Sequence, residues 1–125
     1  MKWEEEDKVR YTTDTLRGNY IPTDLEDCFN QMDGFFNDST KNEFKSKSED
    51  TFTGSHHFGL GTWMRNNWQL WYGSRLSKYF NNLGIDHPDD MSAIILTSYH
   101  RRLNGKKLKL NEQIKFYQDY WDKNK

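Results

Sequence analysis

One cysteine in 125 residues, Cys28, leaves no intrachain disulfide and no paired-thiol redox motif. Its place in an apolar helical pattern reads as a small buried hydrophobe. No apolar run approaches the roughly 20 residues that cross a bilayer. The start, MKWEEED, lacks the apolar core of a secretion signal, so no membrane partner and a cytoplasmic, bacterial-type location are expected. Charge of one sign is also missing: 18 basic and 19 acidic residues give a formal charge of −1. No long-range field gathers polyanions, and nucleic acid is disfavoured unless a local basic patch forms.

Apolar residues make up only 34% of the chain and charged residues 30%. Five tryptophans, seven tyrosines and eight phenylalanines compensate, since each buried ring removes a large apolar area from water. The length suits a single core. Residues 1–19, with the acidic run Glu4 to Asp7, read as an N-terminal arm, with either a free arm or a short strand around Val9 to Thr13. Residues 20–125 read as a single all-helical domain.

Helical spacing recurs through that domain. Thr23 and Glu26 form a capping-box pattern ahead of Leu25, Cys28, Phe29 and Met32, predicting a first helix that ends near Gly34 or Phe36. Ser39 or Thr40 is placed to cap a short second helix anchored by Phe44, and the polar run SKSEDTFTGS after it reads as a loop. Residues 55–71, SHHFGLGTWMRNNWQLW, read as a third helix. Leu60, Trp63, Met64, Asn67 and Trp71 make its stripe, Trp68 lies beside them, and Arg65 and Gln69 face away. A fourth helix runs from Ser74 to a glycine stop at Gly84. A fifth begins around Asp86-His87-Pro88-Asp89-Asp90, carries Met91, Ile94, Ile95, Ser98 and Tyr99, and stops at Asn104-Gly105. A last helix is capped by Asn111, with Ile114, Tyr117 and Trp121 on one face and Phe116 and Tyr120 on another. The expected fold is all-α: an irregular compact bundle of about five to six helices, with a short N-terminal extended arm. The two-sided last helix makes a homodimer a candidate.

Several polar residues carry chemistry worth placing. Asn67 falls among apolar neighbours, so its amide needs a partner, either a loop backbone, a histidine or a ligand. His56 and His57 point about 100° apart on a helix, which disfavours a shared metal. One of them joining His87, Asp89 or Asp90 is the arrangement a metal or hydrolytic site needs. Arg65, Asn66 and Arg75 beside Trp68 suit a small acidic ligand or a protein hot spot, and equally internal salt bridges. Gly59 and Gly61 lack the order of a phosphate-binding loop and fit close packing better. No cofactor motif occurs, and none is expected. His100 to Lys109 is the one basic segment, and it straddles a helix end where cations also oppose the dipole.

The segments HFGLGTWMRNNWQLW and YGSRLSKYFNNLGIDHPDDMSAIIL, with YIPTDLEDCFNQMD before and LNEQIKFYQDYW after, resemble the signature of an uncharacterised Bacteroidota domain family of unknown function over about residues 20–121. That resemblance implies an all-α domain carrying the elements Arg65 to Trp68 and His87 to Asp90, with no catalytic assignment. The first expectation is a non-enzymatic protein-interaction or small-ligand-binding domain. The alternatives are a small hydrolase or metal-dependent enzyme built on His56 or His57 with His87 and Asp89 or Asp90, and a nucleic-acid binder using residues 101–109.

Overall fold

A computed structural model describes residues 8–124. The acidic run Glu4 to Asp7 lies outside the described residues. A helical turn at residues 8–12 leads into a hairpin of β1 (Thr15–Leu16) and β2 (Asn19–Tyr20), paired antiparallel with Thr15 opposite Tyr20. Arg17 and Gly18, both at positive φ (52° and 79°), make the two-residue turn that matches strand twist. Strand pairing therefore falls at residues 15–20, beyond the Val9 to Thr13 stretch. Leu16 packs against the core.

Seven helices follow: α1 (Leu25–Phe35), α2 (Asp38–Ser46), α3 (Glu49–His56), α4 (Leu60–Asn67), α5 (Arg75–Asn82), α6 (Pro88–Leu103) and α7 (Leu110–Lys123). With the turn at residues 8–12, eight helical segments stand among the described residues where five to six were expected. α6 is the axis of the bundle, packing against each of α1 to α5 and α7. Met91, Ile94, Ile95, Leu96 and Tyr99 are buried on several sides of it, meeting Phe29 and Met32 of α1, Phe52 of α3, Met64 of α4 and Phe80 of α5 in one continuous core. Cys28 is fully buried there, and desolvation pushes its thiol pKa well up, leaving it inert.

The helix ends show where local signals decide and where they do not. Ser74 caps α5 through a complete capping box with Ser77, and Gly84 takes φ +88° just past its end. Pro88 opens α6 and Gly105 follows its close at φ +67°. Three caps shift from expectation. Asp24, and not Thr23, accepts from the Asp27 amide at 2.8 Å; Asn37, and not Ser39 or Thr40, caps α2; and Lys109 at φ 51° precedes α7, leaving Asn111 inside it. The first cap falls one residue downstream and the other two fall two to three residues upstream; Asp24 and Asn37 each place a side-chain acceptor against an unpaired amide, whereas Lys109 caps α7 with no side-chain bond.

Two larger corrections concern residues 46–71. The run read as a loop contains α3, capped by Ser48 and held by Phe52, whose buried ring meets Phe44, His56 and His100. One ring with that many partners outweighs a polar composition. The third helix is also shorter than its pattern: His57 ends α3, Phe58 and Gly59 turn the chain, and α4 stops at Asn67 because Gln69 adopts φ 55°. That break takes Trp71 off the stripe and leaves it exposed, while Arg65 and Gln69, expected outward, are buried.

Candidate functional site

Arg65 is only 5% exposed, and its guanidinium is fully engaged. Nη1 donates to Ser92 Oγ at 2.7 Å, Nη2 donates to Thr62 Oγ1 at 2.9 Å and to the His57 carbonyl at 3.1 Å, and Nε lies 3.3 Å from Asp89 Oδ1. Ser92 in turn donates its hydroxyl hydrogen bond to the Asp89 carbonyl at 3.0 Å. The result ties the α3–α4 turn to the first turn of α6. Gly61 permits it: a Cβ there would stand 2.9 Å from Arg65 Nη1 and 3.3 Å from the His56 carbonyl. Gly59 meets no such neighbour, so close approach explains one glycine of the two.

The other candidates divide. Asn67 donates to the Trp63 carbonyl at 2.9 Å and accepts from Asn19 at 3.4 Å, joining α4 to the hairpin. Asn66 is exposed, and its carbonyl accepts from Gln69. Trp68 is buried against Phe35 and Trp63. Arg75 donates to the Ile21 carbonyl at 2.6 Å and lies over the Tyr20 ring. His56 donates from Nδ1 to the Phe52 carbonyl at 2.9 Å and packs on the Phe44 and Phe52 rings. The His57 ring sits edge-on to Phe58.

The same first turn of α6 carries Asp89 toward Arg65 and His87 and Asp90 toward α7. The His87 ring stacks on Trp121 at 3.6 Å with an interplanar angle of 14°. Trp121 Nε1 donates to Asp90 Oδ2 at 2.8 Å. Burial raises the Asp90 pKa; the Trp121 bond and His87 work against that rise, and Asp89 adds to it. Tyr117, partly buried on the same helix, has its own pKa raised by burial and then by Asp90.

Two clefts open on either flank of this wall. One, of about 530 Å³, runs from Gly84, Ile85 and Asp86 past His87 and Asp90 to Tyr117, Gln118, Trp121 and Asp122. The second, of about 450 Å³, lies between Trp71, Pro88, Asp89, Phe116 and Tyr120. Among the described residues, no lysine or arginine lines either. Trp71, Tyr72, Phe116, Tyr120 and Trp121 are all exposed. Sequence spacing singles out the Asp86 to Asp90 turn but misses its meeting with Trp121, Tyr117 and Trp71. Only the off-stripe rings of the last helix signalled that this end faces outward.

The remaining chemistry is dispersed. Among the described residues no three His, Cys, Asp or Glu side chains are grouped to hold a metal ion. In the basic segment, Arg101 grips Glu49 through two bonds of 2.6 and 3.2 Å and donates to the Leu108 carbonyl, depressing the Glu49 pKa. Arg102 pairs with Glu26 over the Phe29 ring. Lys106, Lys107 and Lys109 are exposed. No described helix is long and apolar enough to cross a membrane.

The family described as Domain of unknown function (DUF6794) matches residues 21–103. The chain belongs to that family. The DUF6794 match opens at Ile21, the first buried core residue, and closes with the last residue of α6, so it holds Arg65, Trp71 and the His87 to Asp90 turn. It ends before α7, short of the Trp121 boundary that the sequence resemblance suggested. One wall of the clefts therefore lies within the matched residues and the other, α7, lies beyond them. No curated protein and no solved structure matches the chain.

Proposed function

We propose that this DUF6794 chain is a non-catalytic protein-interaction domain, and that the cleft between the α5–α6 turn and α7 receives a basic side chain of its partner. The observation that carries the reading is the cleft's lining: Asp86 and Asp90 carboxylates beside the His87, Tyr117 and Trp121 rings, with no lysine or arginine among the described residues of the wall, in a chain whose total charge is almost balanced. An ammonium or guanidinium group there gains carboxylate acceptors together with ring faces or edges. Large exposed rings around such a centre are what protein hot spots are made from. An acidic ligand held by Arg65 finds less support, since that guanidinium is buried and saturated and neither it nor Arg75 lines these clefts.

The test is a titration of the full chain with an arginine-rich peptide and a glutamate-rich peptide of equal length, followed by amide NMR. The basic peptide is expected to shift Gly84 to Asp90 and Tyr117 to Asp122 selectively. Added salt should weaken it, since exposed charges are screened, and Asp86→Asn should reduce its affinity. Equal response to both peptides, or none at those residues, rejects the reading.

A further inference from the structure

We infer that the outer face of α7 pairs with the same face of a second copy of this chain, antiparallel about a two-fold axis. This goes beyond the basic-group cleft and does not depend on it, because Phe116 and Tyr120 line only the second hollow, although the two hollows share His87, Asp90, Tyr117 and Trp121. α7 is fourteen residues long, yet only Gln113 and Ile114 are buried. At about 100° per residue, Leu110, Ile114, Tyr117 and Trp121 fall on the inner side, while Glu112, Phe116, Asp119 and Lys123 fall on the outer, with Lys115, paired to Asp119, and Tyr120 on its two margins. The outer residues are all exposed, with Phe116 at 65% and Tyr120 at 50%, and Trp121 is half-covered at the inner edge.

The order of the outer residues is what selects the partner. The two rings and the end charges run acid, ring, ring, base along the helix and base, ring, ring, acid backwards; Asp119 stands between the rings with its charge met by Lys115 of its own helix. Antiparallel copies therefore set Glu112 beside the partner's Lys123 and Phe116 beside the partner's Tyr120. Both pairings share one centre, near Gln118. A parallel arrangement would oppose like charges at both ends. The self-complementary order is that of an isologous interface, in which each contact occurs twice, and antiparallel helices also oppose their dipoles favourably. Shape agrees with charge. The hollow of about 450 Å³ between Trp71, Pro88, Phe116 and Tyr120 gives a projecting ring of the partner somewhere to enter. A net charge of −1 sets up little repulsion between copies.

Sedimentation equilibrium of the full chain over a range of concentrations, with circular dichroism to confirm folding, tests the inference. The expected result is a reversible dimer that Phe116→Glu with Tyr120→Glu converts to a folded monomer. Glu112→Lys or Lys123→Glu alone should weaken the dimer by about tenfold, as two exposed ion pairs are lost per dimer, and the double swap should restore it. A monomer at every concentration, a dimer indifferent to the Phe116 and Tyr120 changes, or a double swap that fails to rescue overturns the proposal. A monomer that still binds basic peptide sinks self-pairing alone, whereas a dimer that ignores the peptide sinks only the cleft reading.

Discussion

At the scale of single residues, Arg65 shows how a buried charge holds a fold together without a buried counter-charge. Its one ion-pair partner, Asp89, has a side chain 58% exposed, while Arg65 itself is almost wholly enclosed. Solvent screens the exposed end, so the pair as such should contribute less than about 1 kcal/mol. The hydrogen bonds to Ser92, Thr62 and the His57 carbonyl are different, because removing the guanidinium leaves sheltered acceptors with no donor. Arg65→Ala is expected to cost about 3 kcal/mol or more and Asp89→Asn under about 1 kcal/mol, both measured as shifts in urea midpoint at constant slope. Equal losses for the two variants would show that the ion pair carries the energy.

At the scale of elements, α5 and α6 are legible in the sequence because their signals are local. Ser74 and Gly84 bracket one, Pro88 and Gly105 the other, and each cap acts through atoms a few residues away. α3 is not legible. Its stretch carries a single large apolar residue, and what makes it a helix is that Phe52 is clasped by Phe44 from α2 and His100 from α6, neighbours that periodicity cannot announce. The break of α4 at Gln69 is equally silent, since a glutamine gives no warning of a φ of 55°. The candidate site follows the same rule. His87 and Asp90 stand out as titratable groups in a first turn, whereas their meeting with Trp121 depends on α7 folding back across the α5–α6 turn. Phe52 tests the element-level argument. Phe52→Ala should cost about 3–5 kcal/mol, as for other buried rings, and amide exchange should accelerate through Glu49–His56 before it does in α6. Uniform acceleration across the chain would mean that α3 is no weaker unit than the core axis.

At the scale of the whole molecule, near-neutral total charge leaves the dependence of stability on pH to individual carboxylates of opposite sign. Glu49 has its pKa lowered, chiefly by hydrogen bonding to Arg101, so its contribution is present above the unfolded pKa and fades as pH falls through the folded one. Asp90 has its pKa raised, chiefly by burial, so the folded state holds that proton more tightly. Its contribution is present below the unfolded pKa and is lost as pH rises through the folded value, leaving an ionised group that costs stability at neutral pH. Asp90→Asn keeps an acceptor for Trp121 and removes the charge. Urea midpoints followed from acid to neutral pH should therefore show the variant more stable than the parent at neutral pH, with the difference closing as the medium becomes acidic. The same variant should bind basic peptide less well, because the charge that burdens the fold is the one the cleft presents. A loss of stability at neutral pH would reverse the argument: it would mean that the bond from Trp121 to an ionised carboxylate outweighs the cost of enclosing it, and that Asp90 serves the attachment of α7 before it serves a partner.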